Sequence, residues 1–279
     1  VIPIPEAEAL VASVWHRSRD GFVAEADVVA SRSWEGADPA SMQAMEEYFW
    51  GSARRFAMLI SVLSGHLSDG ASVLDAGAGH GVLAGGFKAA GFNSHASDLH
   101  DGLAIFSSMG IPYQRWHLEA QDAPFPDSAF DAVVLSQTIE HFTYSPLHPL
   151  REILRITRPG GLILIDAPNI ACFRNVWRLM RGKSIHWNYK LHYLEQEPDM
   201  ENGIPYYDRH NHECSMQDLM DIADFFGLEV VQAGYYSSYN ERKRGHMAVL
   251  ASRLRDCVKP WRKGVYALYR VPMQHGAVG

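Results

Sequence analysis

Apolar positions along the 279-residue chain change their spacing, and the changes mark its organisation. Residues 1–68 read as helical. Met42, Met45, Phe49, Phe56, Ile60 and Leu63 recur three, four or seven positions apart, which predicts one apolar stripe on a long helix. Asp38 stands as its N-cap with Pro39 at the first helical position, and Gly51 is a potential break. From Ser72 the pattern becomes short apolar runs alternating with amphipathic segments. The runs 72–76, 95–98, 115–118, 132–136, 162–166, 228–231 and 247–251 predict strands. Helices are predicted over 82–90, 103–109 and 146–157, closed by Gly91, by Gly110 and by the breaker Arg158-Pro159-Gly160-Gly161. A further helix starts at Ser215, with Asp218 three residues on as a capping box. Leu219, Ile222, Ala223 and Phe226 form its apolar face, and Gly227 ends it.

Strands that alternate with helices imply an α/β fold, a mostly parallel sheet covered by helices on both faces. The stretch 168–214 breaks the rhythm. It is rich in His, Tyr, Trp, Arg and Pro and too long for a simple loop, so it reads as a functional insertion. The expected organisation is a helical N-terminal cap over 1–68, a core over 69–254 with a cap insertion at 169–214, and a basic C-terminal tail over 255–279.

Composition narrows the function classes. A 47% hydrophobic chain of this length sustains one large core, or a core with an appendage. A net charge of −7 argues against a global electrostatic grip on nucleic acid. The charge is uneven, however, with nine Lys/Arg against two Asp/Glu from Glu241 onward. That region has two readings: a solvated basic tail, or a surface for an acidic substrate or an anionic membrane. Cys172, Cys214 and Cys257 are scattered and odd in number, with no CxxC pair, which fits a reducing compartment. The opening VIPIPEAEAL has no basic n-region and no long apolar h-region, and no apolar run approaches a membrane span. A cytoplasmic location is expected. Oligomeric state is left open.

The stretch VLDAGAGHG, Val73 to Gly81, carries the most chemistry. A buried strand leads through Asp75 into Gly77, Gly79 and Gly81 and then opens a helix. Such a turn exposes backbone N–H groups at a helix N-terminus and lets a ligand approach closely. The two-and-two glycine spacing differs from the G-x-G-x-x-G of dinucleotide sites, which speaks against an NAD-dependent oxidoreductase. An acid before the glycines suits a ligand with a positive group as well as a negative one. S-adenosylmethionine (SAM) has both.

On these residues the chain resembles the class I SAM-dependent methyltransferases, close to the type 11/23 domain group, over roughly 72–251. VLDAGAGHG looks like the family's glycine motif. Asp98 in HASDLH sits where the family has an acid that grips the ribose, and Leu99 follows it. Glu119-Ala120 occupies the place of the acidic-small pair that meets adenine, although the family often has Asp there. PFPDSAFDAVVLSQTIEHF (124–142) is similar to the run through strand four, and RPGGLILIDAPN (158–169) to the strand-five motif. The resemblance implies a Rossmann-like, doubly wound, seven-stranded sheet. It also implies SAM as cofactor and S-adenosylhomocysteine (SAH) as product. Asp75, Gly77, Ala78, Gly79 and Gly81 would cradle the methionine end, with Asp98, Leu99, Glu119, Ala120 and Ser136 completing the cofactor site.

The acceptor side rests on histidines. The resemblance puts the His141 loop, in IEHF, beside the methyl group; a purely structural His141 is the other reading. His210 in HNHECSMQDL resembles the family's histidine before the last helix and falls at the rim of the acceptor pocket. His212 points the same way if the backbone is extended. His186, Trp187, Tyr189, His192 and Tyr193 suit the wall or lid of a pocket for a ringed acceptor, or a small satellite core. Arg174, Arg178 and Arg181 share a helix face around Trp177. Asp208, His210, His212, Glu213 and Cys214 have metal-ligand chemistry but no familiar ligand spacing, so no metal is expected. The expected activity is methyl transfer to a small molecule, foremost O-methylation of a natural-product, quinone, sugar or lipid intermediate. C- or N-methylation is the alternative, and a catalytically idle SAM- or SAH-binding protein is a further one. Nucleic acid is not an expected partner.

Overall fold

The computed structural model describes residues 1–16, 42–99, 104–186, 188–201, 203–207, 209–237 and 246–273, with backbone alone for 42–45, 104–105 and 246–249. The expected cap at Asp38-Pro39, and Trp187 and Asp208, lie outside the described residues. The contacts divide the chain into two compact units, one built on Val1–Arg115 and the other on Trp116–Ser237 with the C-terminal region from Ala251.

The first unit opens with helix α1 over residues 4–16 and α2 (Met42–Ser64). Strand β1 (Ser72–Ala76), α3 (Val82–Ala89), β2 (Asn93–Asp98), α4 (Ala104–Ser108) and β3 (Tyr113–Arg115) follow. The three strands are parallel, with Val73 opposite Ser94 and Ala96 opposite Tyr113. Phe49, Phe56, Ile60 and Leu63 of the predicted stripe are all buried. The helices sit close because α3 carries two glycines on its packed face. A Cβ on Gly85 would lie 2.6 Å from Val14 Cγ1, and one on Gly86 2.7 Å from Ile60 Cδ1. Gly51 does not break α2.

The second unit holds β4 (Phe130–Ser136), a 3₁₀ turn (Ile139–His141), α5 (Leu147–Ile156) and β5 (Thr157–Pro168). Then come α6 (Phe173–Met180), a π-helical turn (Lys190–Glu195) and the hairpin β6 (Asp199–Glu201) and β7 (Ile204–Tyr206). The unit continues with α7 (Met216–Phe226), β8 (Glu229–Tyr236), α8 (His246–Arg255, reaching into this unit), a 3₁₀ turn (Lys259–Trp261) and β9 (Gly264–Arg270). The seven-stranded sheet has the order β3-β2-β1-β4-β5-β9-β8. Strands β4 and β5 are parallel, and β9 runs antiparallel to both β5 and β8.

Four expectations are corrected. The third strand covers Tyr113–Arg115, not 115–118; Trp116, His117 and Leu118 are buried outside it. The Arg158-Pro159-Gly160-Gly161 breaker does end α5, but it lies inside β5 as an irregularity in pairing: Phe130 faces Thr157 and Ala132 faces Leu162. Residues 247–251 belong to α8, because MAVLA is an apolar run too short for its period to separate strand from helix. The reading of 255–279 as a tail fails at β9. Residues Gly264–Tyr269 are buried in a strand between two others, and only the flanking basic residues gave them a tail-like look.

Candidate active site

In the first unit the glycine turn is tied to the next strand. The N–H groups of Gly77 and Ala78 both donate to the Ser97 carbonyl, at 2.9 and 3.0 Å. The Gly79 N–H donates to Asp98 Oδ2 at 2.8 Å. Gly77, Gly79 and Gly81 all take positive φ, a conformation that other residues adopt at a cost. At Gly81 space is also short, since a Cβ would come within 2.9 Å of Phe106 and Met109. At Gly79 a Cβ would meet nothing within 4 Å, so the loop surface there is open to a ligand. Asp75 and Asp98 are buried carboxylates at the ends of β1 and β2. Leu99 follows, and its carbonyl accepts from Arg115 Nε. The Tyr48 ring of α2 meets His80 edge-on at 5.6 Å, so α2 reaches this turn.

In the second unit β4 ends at Ser136, and Gln137 then takes φ +53°. That backbone is held by a network unmarked in the sequence. The Gln137 N–H donates to the Asp166 carbonyl, and its side-chain amide reaches Asp166 Oδ2 at 3.2 Å. Tyr236 of β8 donates to the same carboxylate oxygen at 2.6 Å. The chain then enters the 3₁₀ turn carrying Glu140 and His141.

The segment that precedes α7 is clipped to this turn. The Glu140 carbonyl accepts the Asn211 and His212 N–H groups at 2.7 and 3.2 Å, and the Asn211 amide donates to the His141 carbonyl at 3.0 Å. The clip brings His141 and His210 together, ring centres 4.9 Å apart and planes nearly perpendicular. Glu140, fully buried, offers a carboxylate oxygen to the same cluster, with one ligand atom from each of the three residues within 4.8 Å of the others. Burial and then the neighbouring His210 lower His141 to about 3. It is therefore a neutral imidazole, a lone-pair donor that does not take up a proton near neutrality.

His210 is half-exposed and lies 3.7 Å from Glu213 through Nδ1. Burial works against the Glu213 charge, but His210, an amide donor from Asn175 at 2.5 Å and the Arg174 charge outweigh it and hold the carboxyl below its ordinary value. The Tyr193 hydroxyl donates to the His210 carbonyl at 2.7 Å and sits 2.9 Å from His186 Nδ1. A hydroxyl has one proton, so His186 is the donor in that second contact. Tyr189 stacks on Tyr193 at 4.9 Å, and the Arg209 guanidinium lies over both Tyr193 and Tyr207. His186, Tyr189, Tyr193 and His210 thus form one connected wall. His212 departs from it, since its ring faces Asp218 of the α7 capping box at 3.8 Å.

Glu119 has a role the sequence did not reveal. Its two oxygens accept the backbone N–H groups of Tyr144 and Thr143 at 2.7 and 3.0 Å, anchoring the loop after His141. Ala120 lies in the adjoining turn, its N–H on the His117 carbonyl. Several predicted surface cations have internal partners: Arg174 pairs with Glu213, Arg178 donates to the Ser184 carbonyl, and Arg262 donates to the Asp256 and Tyr235 carbonyls.

Residues 48–233, well over half of the chain, match the model of the methyltransferase-domain family. The chain belongs to this family of SAM-dependent methyltransferases. It is 31% identical over 138 residues to a demethylmenaquinone methyltransferase of Renibacterium salmoninarum, covering 47% of this chain and 57% of that protein. It is also 31% identical over 131 residues to a probable S-adenosylmethionine-dependent methyltransferase of Mycolicibacterium smegmatis, covering 46% and 49%. The chain spans only about half the length of these relatives. Among solved structures it shares the fold of a putative methyltransferase in complex with the Haloferax volcanii Trm112 activator. The TM-score there is 0.55 at 16% identity, over 90% of this chain and 97% of that one. A possible histamine N-methyltransferase of Thermotoga maritima gives a TM-score of 0.51 at 18% identity, over 82% and 94%. The chain shares a doubly wound sheet with these structures, and among its described residues no helix is long and apolar enough to cross a membrane.

Proposed function

We propose that the methyltransferase transfers the SAM methyl group to a hydroxyl oxygen of a small ringed acceptor, such as a reduced quinone or another natural-product intermediate. The observation that carries the reading is the clipped His141–His210 pair with its aromatic wall. SAM supplies an electrophilic methyl carbon when bound. The donor set of the first unit fits it: an open glycine turn, and carboxylates that suit an ammonium and a ribose diol. Asp75, Gly77, Ala78, Gly79 and Gly81 would hold the methionine end, and Asp98 with Leu99 the ribose. Ser136, Glu119 and Ala120 are assigned to the cofactor as well; Glu119 would act there mainly by fixing the loop it already anchors.

On the acceptor side, methyl transfer to oxygen requires the hydroxyl proton to leave. His210 is the group suited to take it, because it is half-exposed and the charged Glu213 faces its Nδ1. His141 orients the acceptor by its lone pair. His186 and Tyr189 supply ring contacts, and Trp187 and His212 complete the proposed acceptor side. Methylation of an acceptor carbon is the second reading, and the similarity to demethylmenaquinone methyltransferases supports a quinone-type acceptor for either one. The basic region from Glu241 onward is proposed to meet an acidic acceptor or an anionic membrane.

The test is calorimetric titration of SAM, SAH and NAD, followed by an acceptor screen with labelled methyl. Binding of SAM and SAH but not NAD, with label on the oxygen of a phenol or quinol, is expected. Label on carbon selects the second reading. SAM binding with no turnover on any acceptor indicates a binding protein.

A further inference from the structure

Glu140, His141 and His210 come from two segments 70 residues apart, yet the structure converges them. Glu140 is fully buried, and its carboxylate oxygen lies within 4.8 Å of the ligand nitrogens of both histidines. Its own backbone carbonyl, and that of His141, anchor the His210 segment, so the backbone that carries one ligand positions another. Glu213 lies on His210 Nδ1 at 3.7 Å, and a carboxylate at an imidazole nitrogen fixes ring orientation and raises basicity toward a metal. Asn175 and Arg174 in turn hold Glu213.

We propose that Glu140, His141 and His210 form a binding site for a divalent first-row metal ion with open positions for the acceptor. Two imidazoles and one carboxylate are the donor set preferred by zinc and iron(II), and three protein ligands leave room for a substrate oxygen. The spacing hid this site because its ligands lie in no sequence signature and meet only through the clip between 140–141 and 211–212. The inference deepens the proposed O-methylation and rests on it for its role. An acceptor hydroxyl bound to the ion loses its proton to solvent more readily, which takes over the task otherwise given to His210. The oxygen then forms its bond to the methyl carbon as the carbon–sulfur bond breaks, leaving the thioether SAH.

The deciding experiment is titration of the tag-free, metal-stripped full chain with Co²⁺ and Zn²⁺. The expected result is one Co²⁺ per chain with visible absorption bands, displaced by Zn²⁺. Affinity should fall at least about tenfold in His141→Ala and in His210→Ala. Glu140→Gln keeps the shape of the buried side chain and should weaken binding while circular dichroism and SAM affinity stay at wild-type values. Absence of the cobalt band in the wild type overturns the site. So does a Co²⁺ affinity unchanged in the His141→Ala/His210→Ala double variant, since other histidines would then hold the metal. Either failure leaves the proposed methylation intact if labelled methyl still reaches an acceptor oxygen with chelator present. Failure of that reading instead shows as cobalt binding without any O-methylated product.

Discussion

Single carboxylates join the backbone to the chemistry proposed for this chain. Asp98 accepts the Gly79 N–H and so holds the glycine turn to the end of β2. Asp98→Ala removes that bond and the charged acceptor proposed for the ribose, and hydrogen bonds to charged groups are worth roughly 1.5–3 kcal/mol. SAM and SAH affinity should therefore fall by one to two orders of magnitude in calorimetry; unchanged affinity would remove Asp98 from the cofactor site. His210→Gln tests the other side. With SAM affinity retained, kcat should drop by roughly a hundredfold or more, the range expected when the group proposed to take the proton, or to hold the ion that releases it, is lost. Glu213→Gln should lower kcat by less, because it removes only the group that orients His210. Asp98 and His210 were legible in the sequence as candidates, since each sits in a contiguous run with its own pattern. Glu119 was legible as a residue but not in its contacts. Nothing in the sequence announces that its oxygens reach Thr143 and Tyr144, 24 and 25 positions on. The convergence of Glu140, His141 and His210 was hidden for a similar reason, because only the fold brings segments 70 residues apart together.

Elements were read well where period and caps agree. The α7 helix begins at Ser215, whose side chain accepts the Asp218 N–H while Asp218 accepts the Ser215 N–H, and Gly227 ends it in the left-handed conformation. Ser215→Ala should cost about 1 kcal/mol in denaturant unfolding, as lost N-caps do. No loss would mean that burial of Leu219 and Ala223 alone sets the helix start. Close packing without a local signal was not legible. Gly85 looks like a weak point in a helix, yet it is where α1 meets α3. Gly85→Ala would drive a methyl toward Val14, whose branched side chain cannot rotate away easily, at a cost of roughly 1–3 kcal/mol. A gain in stability, the ordinary result of replacing a helical glycine, would show that α1 does not hold this position in solution. The same limit explains α8 and β9. Their apolar runs are short, and pairing with β5 and β8, not local spacing, decides that Gly264–Arg270 is a strand.

For the whole molecule, acid sensitivity follows from how one ion pair stitches a loop to the second unit's helix layer. Arg155 of α5 bonds Glu152 and Asp127, and it also donates to the Ala123 and Phe125 carbonyls. Glu152 accepts the Ala123 N–H at 2.8 Å. The hydrogen bonds from Arg155 are the main cause that holds the Glu152 carboxyl below its usual value of 4.5, and burial opposes them only in part. A depressed carboxyl means that the unfolded chain binds the proton first. The stability from Glu152 is therefore fully present above pH 4.5 and is lost as pH falls through the lower folded value. Urea unfolding of the second unit, followed from pH 7 to pH 3, should show a steeper loss of stability below pH 4.5 in the wild type than in Glu152→Gln. The variant should start from lower stability at pH 7, because the pair is already broken, and the two curves should converge at the acid end. Parallel curves would mean that Arg155 holds the 123–127 loop through its bonds to the Ala123 and Phe125 carbonyls and to Asp127, with the charge of Glu152 adding nothing.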